Sequence, residues 1–215
     1  FDAMEFKMRA SISSDAYTQA HQCYQAMIDH RSFKHQPSHS KIRWMLLGTY
    51  IQFLRKIDLI PGEDPTGQFI NKHFKFLEEN ETQLKEMKVP FIISKLLYSI
   101  YDRDYISMEE KIYSLKNYCN VYLKRDTPNY RSHCFIKMLL TIPQYHFNPQ
   151  MVERRVGHYI RKMGSASFEI DNARVVEIIA YEELWAIIMK YLEKPKRKRR
   201  SDYTFGDWTI GRKKL

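Results

Sequence analysis

Glycine is scarce in this chain: seven in 215 residues, about 3% against a usual share of roughly 7%. That argues against a large β-sandwich, a propeller or a collagen-like chain, which spend glycine at turns or at every third position. No run approaches the ~18 consecutive apolar residues of a membrane-crossing helix. Cysteine is limited to Cys23, Cys119 and Cys134. An odd count at long spacings excludes a disulfide scaffold and fits reduced thiols in a cytosolic protein. Each of the three sits among apolar neighbours and reads as a small buried hydrophobe. The opening residues Phe1-Asp2-Ala3-Met4 are too polar for a signal-peptide core, so a cytoplasmic location is the expectation. A chain of this length can bury roughly 70% of the surface its unfolded form exposes, and needs no disulfide or metal to fold.

Catalytic signatures are also missing. There is no Gly-rich phosphate loop, no G-x-S-x-G elbow and no H-E-x-x-H. His30, His35 and His39 cluster locally, but Pro37 separates the last two and no carboxylate or cysteine spacing completes a zinc site. His133 and Cys134 are adjacent on a helix, so they point about 100° apart and do not face each other. Glu182 and Glu183 read as acids favoured at a helix start. The residues therefore indicate no enzyme, no cofactor and no metal.

What is present is charge in one place and helical periodicity almost everywhere. The segment 194–215 holds Lys194, Lys196, Arg197, Lys198, Arg199, Arg200, Arg212, Lys213 and Lys214 against Asp202 and Asp207, which is +7 of the chain's net +10. The run Lys196-Arg197-Lys198-Arg199-Arg200 would attract a phosphate backbone, an anionic membrane or an acidic partner, and it also reads as a short nuclear-localisation-type run or a solvated linker. Beyond it, Tyr203 to Ile210 reads as strand, Gly-Asp turn, strand. The organisation expected is a helical-repeat domain over 1–193 and a basic tail with a β-hairpin over 194–215.

Within 1–193, apolar residues recur at helical spacing. Ser14-Asp15 is expected to cap a helix carrying Tyr17, Ala20, Tyr24 and Met27. A second, from about Ser40 to Lys56, carries Trp44, Leu47, Ile51 and Leu54. Pro61-Gly62-Glu63-Asp64-Pro65 breaks the chain before a helix over 66–79. Pro90 suits the first turn of the next. Ser107 and Glu110 form a capping box for a helix striped with Met108, Ile112, Leu115, Cys119 and Tyr122. Asp126-Thr127-Pro128 opens a helix that ends near Pro143, and Asn148-Pro149 opens one closed at Gly164. Val175-Val176-Glu177-Ile178-Ile179 reads as strand or extended chain. Tyr181 to Glu193 is a final helix burying Leu184, Trp185, Ile188 and Leu192. Short connections make neighbours antiparallel, and the helix starts fall in pairs roughly 40–50 residues long, near the range of helical repeats.

Trp44-x-x-Leu47-Gly48 resembles the first-helix signature of the tetratricopeptide repeat, where a small residue lets the paired helix come close. Tyr17, Ala20 and Tyr24 are similar to its second-helix pattern, and Tyr98-x-x-Tyr101-Asp102-Arg103-Asp104-Tyr105 resembles the turn between its helices. Ile51 stands where that family has tyrosine, and the repeat is not a regular 34 residues. The stretches Tyr130–Leu140 and Tyr181–Trp185 also look similar to helical-repeat proteins of Bacteroidetes-type bacteria, with which no established activity comes. The resemblance implies an all-α fold of antiparallel helix pairs stacked as a short α-solenoid, binding proteins or peptides on a concave face without a cofactor. Tyrosine and arginine dominate protein–protein hot spots, so Arg131, Arg154, Arg155 and Arg161 are the candidate partner contacts. Lys196, Arg197, Lys198, Arg199 and Arg200 are the candidate contacts to nucleic acid.

Overall fold

Helical periodicity becomes helix throughout the residues described by the computed structural model, namely 2–62, 67–84, 87–123, 130–165 and 177–194. Among them are nine α-helices and no strand: α1 (Asp2–Ser13), α2 (Tyr17–Ile28), α3 (Ser38–Lys56), α4 (Gly67–Glu79), α5 (Lys88–Asp102), α6 (Tyr105–Tyr122), α7 (Tyr130–Gln144), α8 (Pro149–Ser165) and α9 (Tyr181–Glu193). None is long and apolar enough to cross a membrane. The hairpin expected over 203–210, the basic run 196–200, and Asp126-Thr127-Pro128 lie outside the described residues. Of the stretch Val175–Ile179, only 177–179 is described, and it is irregular, with Ile178 and Ile179 buried.

Helix α1 has no counterpart in the sequence reading. Its buried positions are Glu5, Met8, Ser11 and Ile12, and two polar residues among four blur the apolar period. Its presence changes the role of Ser14-Asp15. The Ser14 hydroxyl donates back to Ala10 O at 2.9 Å, so it finishes α1 and does not cap α2, whose N-cap is Ala16 without a side-chain bond. Asn148 does cap as expected: its Oδ1 accepts the Met151 N–H at 3.0 Å. Pro143 stands in the last turn of α7, which ends one residue later. Helix α6 begins at Tyr105, so Ser107 lies within it and is not the residue before its start.

Burial divides the helices into two kinds. Helices α4 and α8 bury one stripe: Ile70, His73 and Leu77 in the first, Val152, Val156 and Met163 in the second. Helices α3 and α7 are buried nearly all round, with every residue from Leu46 to Leu54 and from Met138 to Pro143 inside. A helix apolar on all sides must be covered on all sides. The packing supplies that cover. Helix α3 meets α2, α4 and α5, while α5 meets α3, α6 and α7, and α7 meets α5, α6 and α8. Helix α9 then lies across what remains, touching α8, stacking Tyr181 on Phe135 of α7 at 4.4 Å, and ending beside α5.

One structural detail recurs. Helices α1, α3, α5 and α7 all end in the same way, with a left-handed residue after the helix and two backbone bonds closing back over the last turn. The left-handed residues are Asp15, Asp58, Arg103 and His146, the last followed by Phe147 at φ 58° as well. Their neighbours close the longer bond each time: Ala16 N–H to Ser11 O, Leu59 to Leu54, Asp104 to Ser99 and Phe147 to Ile142, at 2.8–3.0 Å. Positions 15, 58, 103 and 146 are spaced by 43, 45 and 43 residues. Glycine is the usual residue there because it bears no Cβ; this glycine-poor chain uses Asp, Arg and His instead.

Candidate functional site

The site is built where α9 crosses the ends of the other helices. An open cleft of about 450 Å³ runs along α9, lined by Asp15, Tyr17, Glu183, Ile187, Lys190 and Lys194, with Ile57, Leu59, Ala186 and Tyr191 completing it. Carboxylates stand at one end, lysines at the other, and apolar side chains between them. On α9, Glu183 and Lys190 are seven residues apart, about 10 Å along the axis.

At the acidic end, Tyr17 Oη lies 2.7 Å from Asp15 Oδ1 and 2.7 Å from Glu183 Oε1. A phenol has one hydrogen to donate. Both contacts are hydrogen bonds only when one carboxyl carries a proton and donates to the phenol oxygen. Glu183 is the group poised for this: burial raises its pKa, the Tyr17 bond opposes the rise, and the Asp15 charge adds to it. Burial, and then the two carboxylates, push the Tyr17 phenol up, so it stays protonated. At the basic end, Lys194 Nζ donates to Ile57 O at 3.4 Å and lies 3.9 Å from Asp58.

Side chains from distant helices hold α9 in place as the wall of this cleft. Arg131, at the start of α7, is buried and bonds Glu177 through Nε at 2.7 Å and through Nη2 at 3.1 Å. It also bonds Glu182 at 2.9 Å and Met163 O at 3.0 Å. Burial alone would lower its pKa, but the two carboxylates outweigh burial and the guanidinium is held more firmly charged than usual. At the other end of α9, Arg103 Nη2 donates to Leu192 O and Lys194 O at 3.3 and 2.9 Å. These are carbonyls that the helix end leaves without intrahelical partners. Tyr191 Oη donates to Tyr101 O at 2.9 Å, with the two rings stacked at 5.6 Å.

The four arginines singled out from sequence therefore part company. Arg131 is not on the surface with the others but inside, engaged by its own chain. Arg154, Arg155 and Arg161 are exposed on α8, where Arg155 lies over the Tyr145 ring at 5.5 Å; none of them lines the cleft. Lysines Lys190 and Lys194 do. Glu182 and Glu183 prove to be contacts, to Arg131 and Tyr17, and not merely acids at a helix start. The three cysteines are buried, and burial pushes the Cys119 thiol up to about 11. Among the described residues no group of three or more His, Cys, Asp or Glu could hold a metal ion.

Nothing in that geometry was available to sequence reasoning except the residue types: Glu177 sits in a segment read as extended, Arg103 in a turn, Asp15 in a cap. In comparisons with family models, curated proteins and solved structures, nothing matches this chain.

Proposed function

We propose that this protein is a non-catalytic scaffold of the α-solenoid kind that binds a protein or peptide in the cleft along α9. The observation that carries the reading is the cleft itself, an apolar trough with carboxylates at one end and lysines at the other, set on helix pairs whose endings repeat at 43–45 residues. That spacing lies in the ~40–47-residue range of longer helical repeats, above the 34 of the tetratricopeptide unit. Gly48 of α3 gives room to Tyr24 of α2, a close approach between neighbouring pairs and not within one. An extended peptide with a basic residue toward Asp15 and Glu183 and an acidic one toward Lys190 and Lys194 would match the cleft in sign.

The test is a binding screen of the full chain against an array of short peptides, repeated with Lys190→Glu. Retained peptides should carry acids at one end, and the variant should lose them and select bases there. A screen that retains nothing above scrambled peptides, or that Lys190→Glu leaves unchanged, would reject the reading. Solution scattering bears on the solenoid itself: an elongated profile is expected, and a round one would count against stacking.

A second reading, nucleic-acid binding through the tail, is favoured by one observation. Lys194 forms the basic end of the cleft, and the run Lys196–Arg200 follows it directly in the chain. Titration with single-stranded and duplex oligonucleotides at two salt concentrations tests this, because phosphate contacts must weaken as salt rises; affinity indifferent to salt would sink it.

A further inference from the structure

We propose that the outward face of α8 is a contact surface for the phosphate backbone of a nucleic acid. The site is apart from the cleft along α9 and does not depend on the reading given to that cleft. It is also apart from the tail, since it consists of residues within the described fold.

The placement of charge carries the inference. Segment 194–215 accounts for +7 of the net +10. Helix α8 holds Arg154, Arg155, Arg161 and Lys162 against Glu153 alone, which supplies the remaining +3. The rest of the chain is therefore neutral on balance. Within α8 the cations are sorted to one side. At about 100° per residue, Arg154, Arg155, Arg161 and Lys162 span an arc of about 120°, opposite the buried stripe of Val152, Val156 and Met163. Glu153 falls outside that arc. All four cations are exposed. Among the described residues none of them is paired with an acid, whereas Arg9, Arg43 and Arg131 are. The Arg161 guanidinium lies over Gly157, 3.9 Å from where a Cβ would stand, which carries its charge back along the helix toward Arg154. Like charges gathered without an acid between them repel one another until an anion binds.

The form of the face selects the anion. A helix that lies on a membrane turns its apolar side to the lipid, and α8 has turned that side to α7 and α9. An acidic peptide is held by apolar anchors in a pocket, and Met151 is the one apolar side chain of α8 within the arc. A phosphodiester backbone repeats its charge every few ångströms. Arg154 and Arg161, rooted about 10 Å apart along the axis, would meet phosphates of one strand, each as a two-pronged donor. Contacts of this kind carry no base information, so binding should be indifferent to sequence.

The experiment follows the anisotropy of a labelled single strand of roughly 20 nucleotides, and of its duplex, with the full chain at about 50 and 200 mM salt. The chain carrying Arg154→Gln and Arg161→Gln should bind at least about tenfold more weakly at the lower salt, and its slope of log affinity against log salt on the duplex should be shallower by about 2. Lys7→Gln with Lys72→Gln removes the same charge from exposed positions on α1 and α4 and should leave the slope in place. An equal loss from both pairs would reduce the effect to net charge and overturn the proposal. No binding by the unmodified chain, or an unchanged slope in the α8 variant, would overturn it too. So would tighter binding to polyglutamate or to anionic lipid vesicles than to either oligonucleotide, by giving the face to an acidic protein or a membrane. If the double variant loses its helical circular dichroism, Arg154→Gln and Arg161→Gln made singly decide the same question, each taking about 1 from the slope. Glutamine at residues 196–200 tests the tail separately, and a loss confined to that variant would remove this proposal while leaving the tail reading in place.

Discussion

The junction of α2, α3 and α4 and the junction of α7 with α9 each bury a polar centre, by opposite means. In the first, Tyr24 Oη and His73 Nε2 are 2.6 Å apart. His73 Nδ1 lies 2.8 Å from Phe69 O. A carbonyl only accepts, so Nδ1 carries the hydrogen and Nε2 accepts from the tyrosine. The pair is neutral: burial lowers the His73 pKa and raises that of Tyr24. It fits because Gly48 vacates the space that the Tyr24 ring fills; an ideal Cβ there would overlap the hydroxyl. In the second, Arg131 bonds two carboxylates 46 and 51 residues away, much the same separation as the 49 between Tyr24 and His73. Distance along the chain therefore does not distinguish the two junctions. The first is aligned by shape, a ring filling the room that Gly48 leaves, and the second by the need to pair a buried charge.

The largest effect should come from breaking the charged junction. Arg131→Ala leaves the Glu177 carboxylate, only 6% exposed, without its partner and should cost about 3–5 kcal/mol, measured by urea unfolding. A loss under about 1 kcal/mol would mean that the ion pair does not hold α9. Next is Gly48→Ala at the neutral junction. The added methyl must displace Tyr24 or the backbone, at about 2–3 kcal/mol, and the same measurement serves. Were it neutral, α2 and α3 would not be as close as described.

Smaller effects are expected with pH, and His73 at the neutral junction and Glu183 in the cleft should respond in opposite directions. A histidine whose folded pKa is depressed contributes stability above its unfolded value near 6.5, lost as pH falls toward the folded pKa. The melting temperature should therefore drop between pH 7 and pH 5.5, and His73→Gln should flatten part of that slope; an unchanged slope would exclude His73 as its source. Glu183 behaves inversely. Its folded pKa is raised, so its contribution is present below the unfolded value near 4.3 and is lost as pH rises through the folded one. Glu183→Gln supplies a permanent donor to the Tyr17 oxygen and should leave the protein slightly more stable at pH 8. Because Glu183 is partly open to solvent in the cleft, less than about 1 kcal/mol is expected. A lower melting temperature for this variant at pH 8 would show that the charged carboxylate is the stabilising form.

Much of the fold was legible residue by residue. Val152, Val156 and Met163 fall on one stripe of α8, and Tyr17, Ala20, Tyr24 and Met27 on one of α2, because a helix that buries one face leaves that period in its sequence. Helix α1 was not legible, since Glu5 and Ser11 take buried positions and are satisfied there by Arg9, Arg43 and the Lys7 carbonyl. The cleft was not legible either. Asp15, Tyr17, Glu183 and Lys190 are ordinary surface residue types, and no spacing along the chain announces that residues 17 and 183 will meet at 2.7 Å.

The sequence by itself determined that the described part of this chain is helical and roughly where every helix but α1 lies, because helix formation answers to interactions within four residues. Only the tertiary structure decided that Arg131 turns inward, that Asp15, Asp58, Arg103 and His146 mark a 43–45-residue recurrence, and that α9 packs against α8 and meets α5 and α7. Those outcomes depend on which surfaces meet across tens to hundreds of residues. That meeting is set by total burial and by the need to pair each desolvated charge, and no local pattern records it.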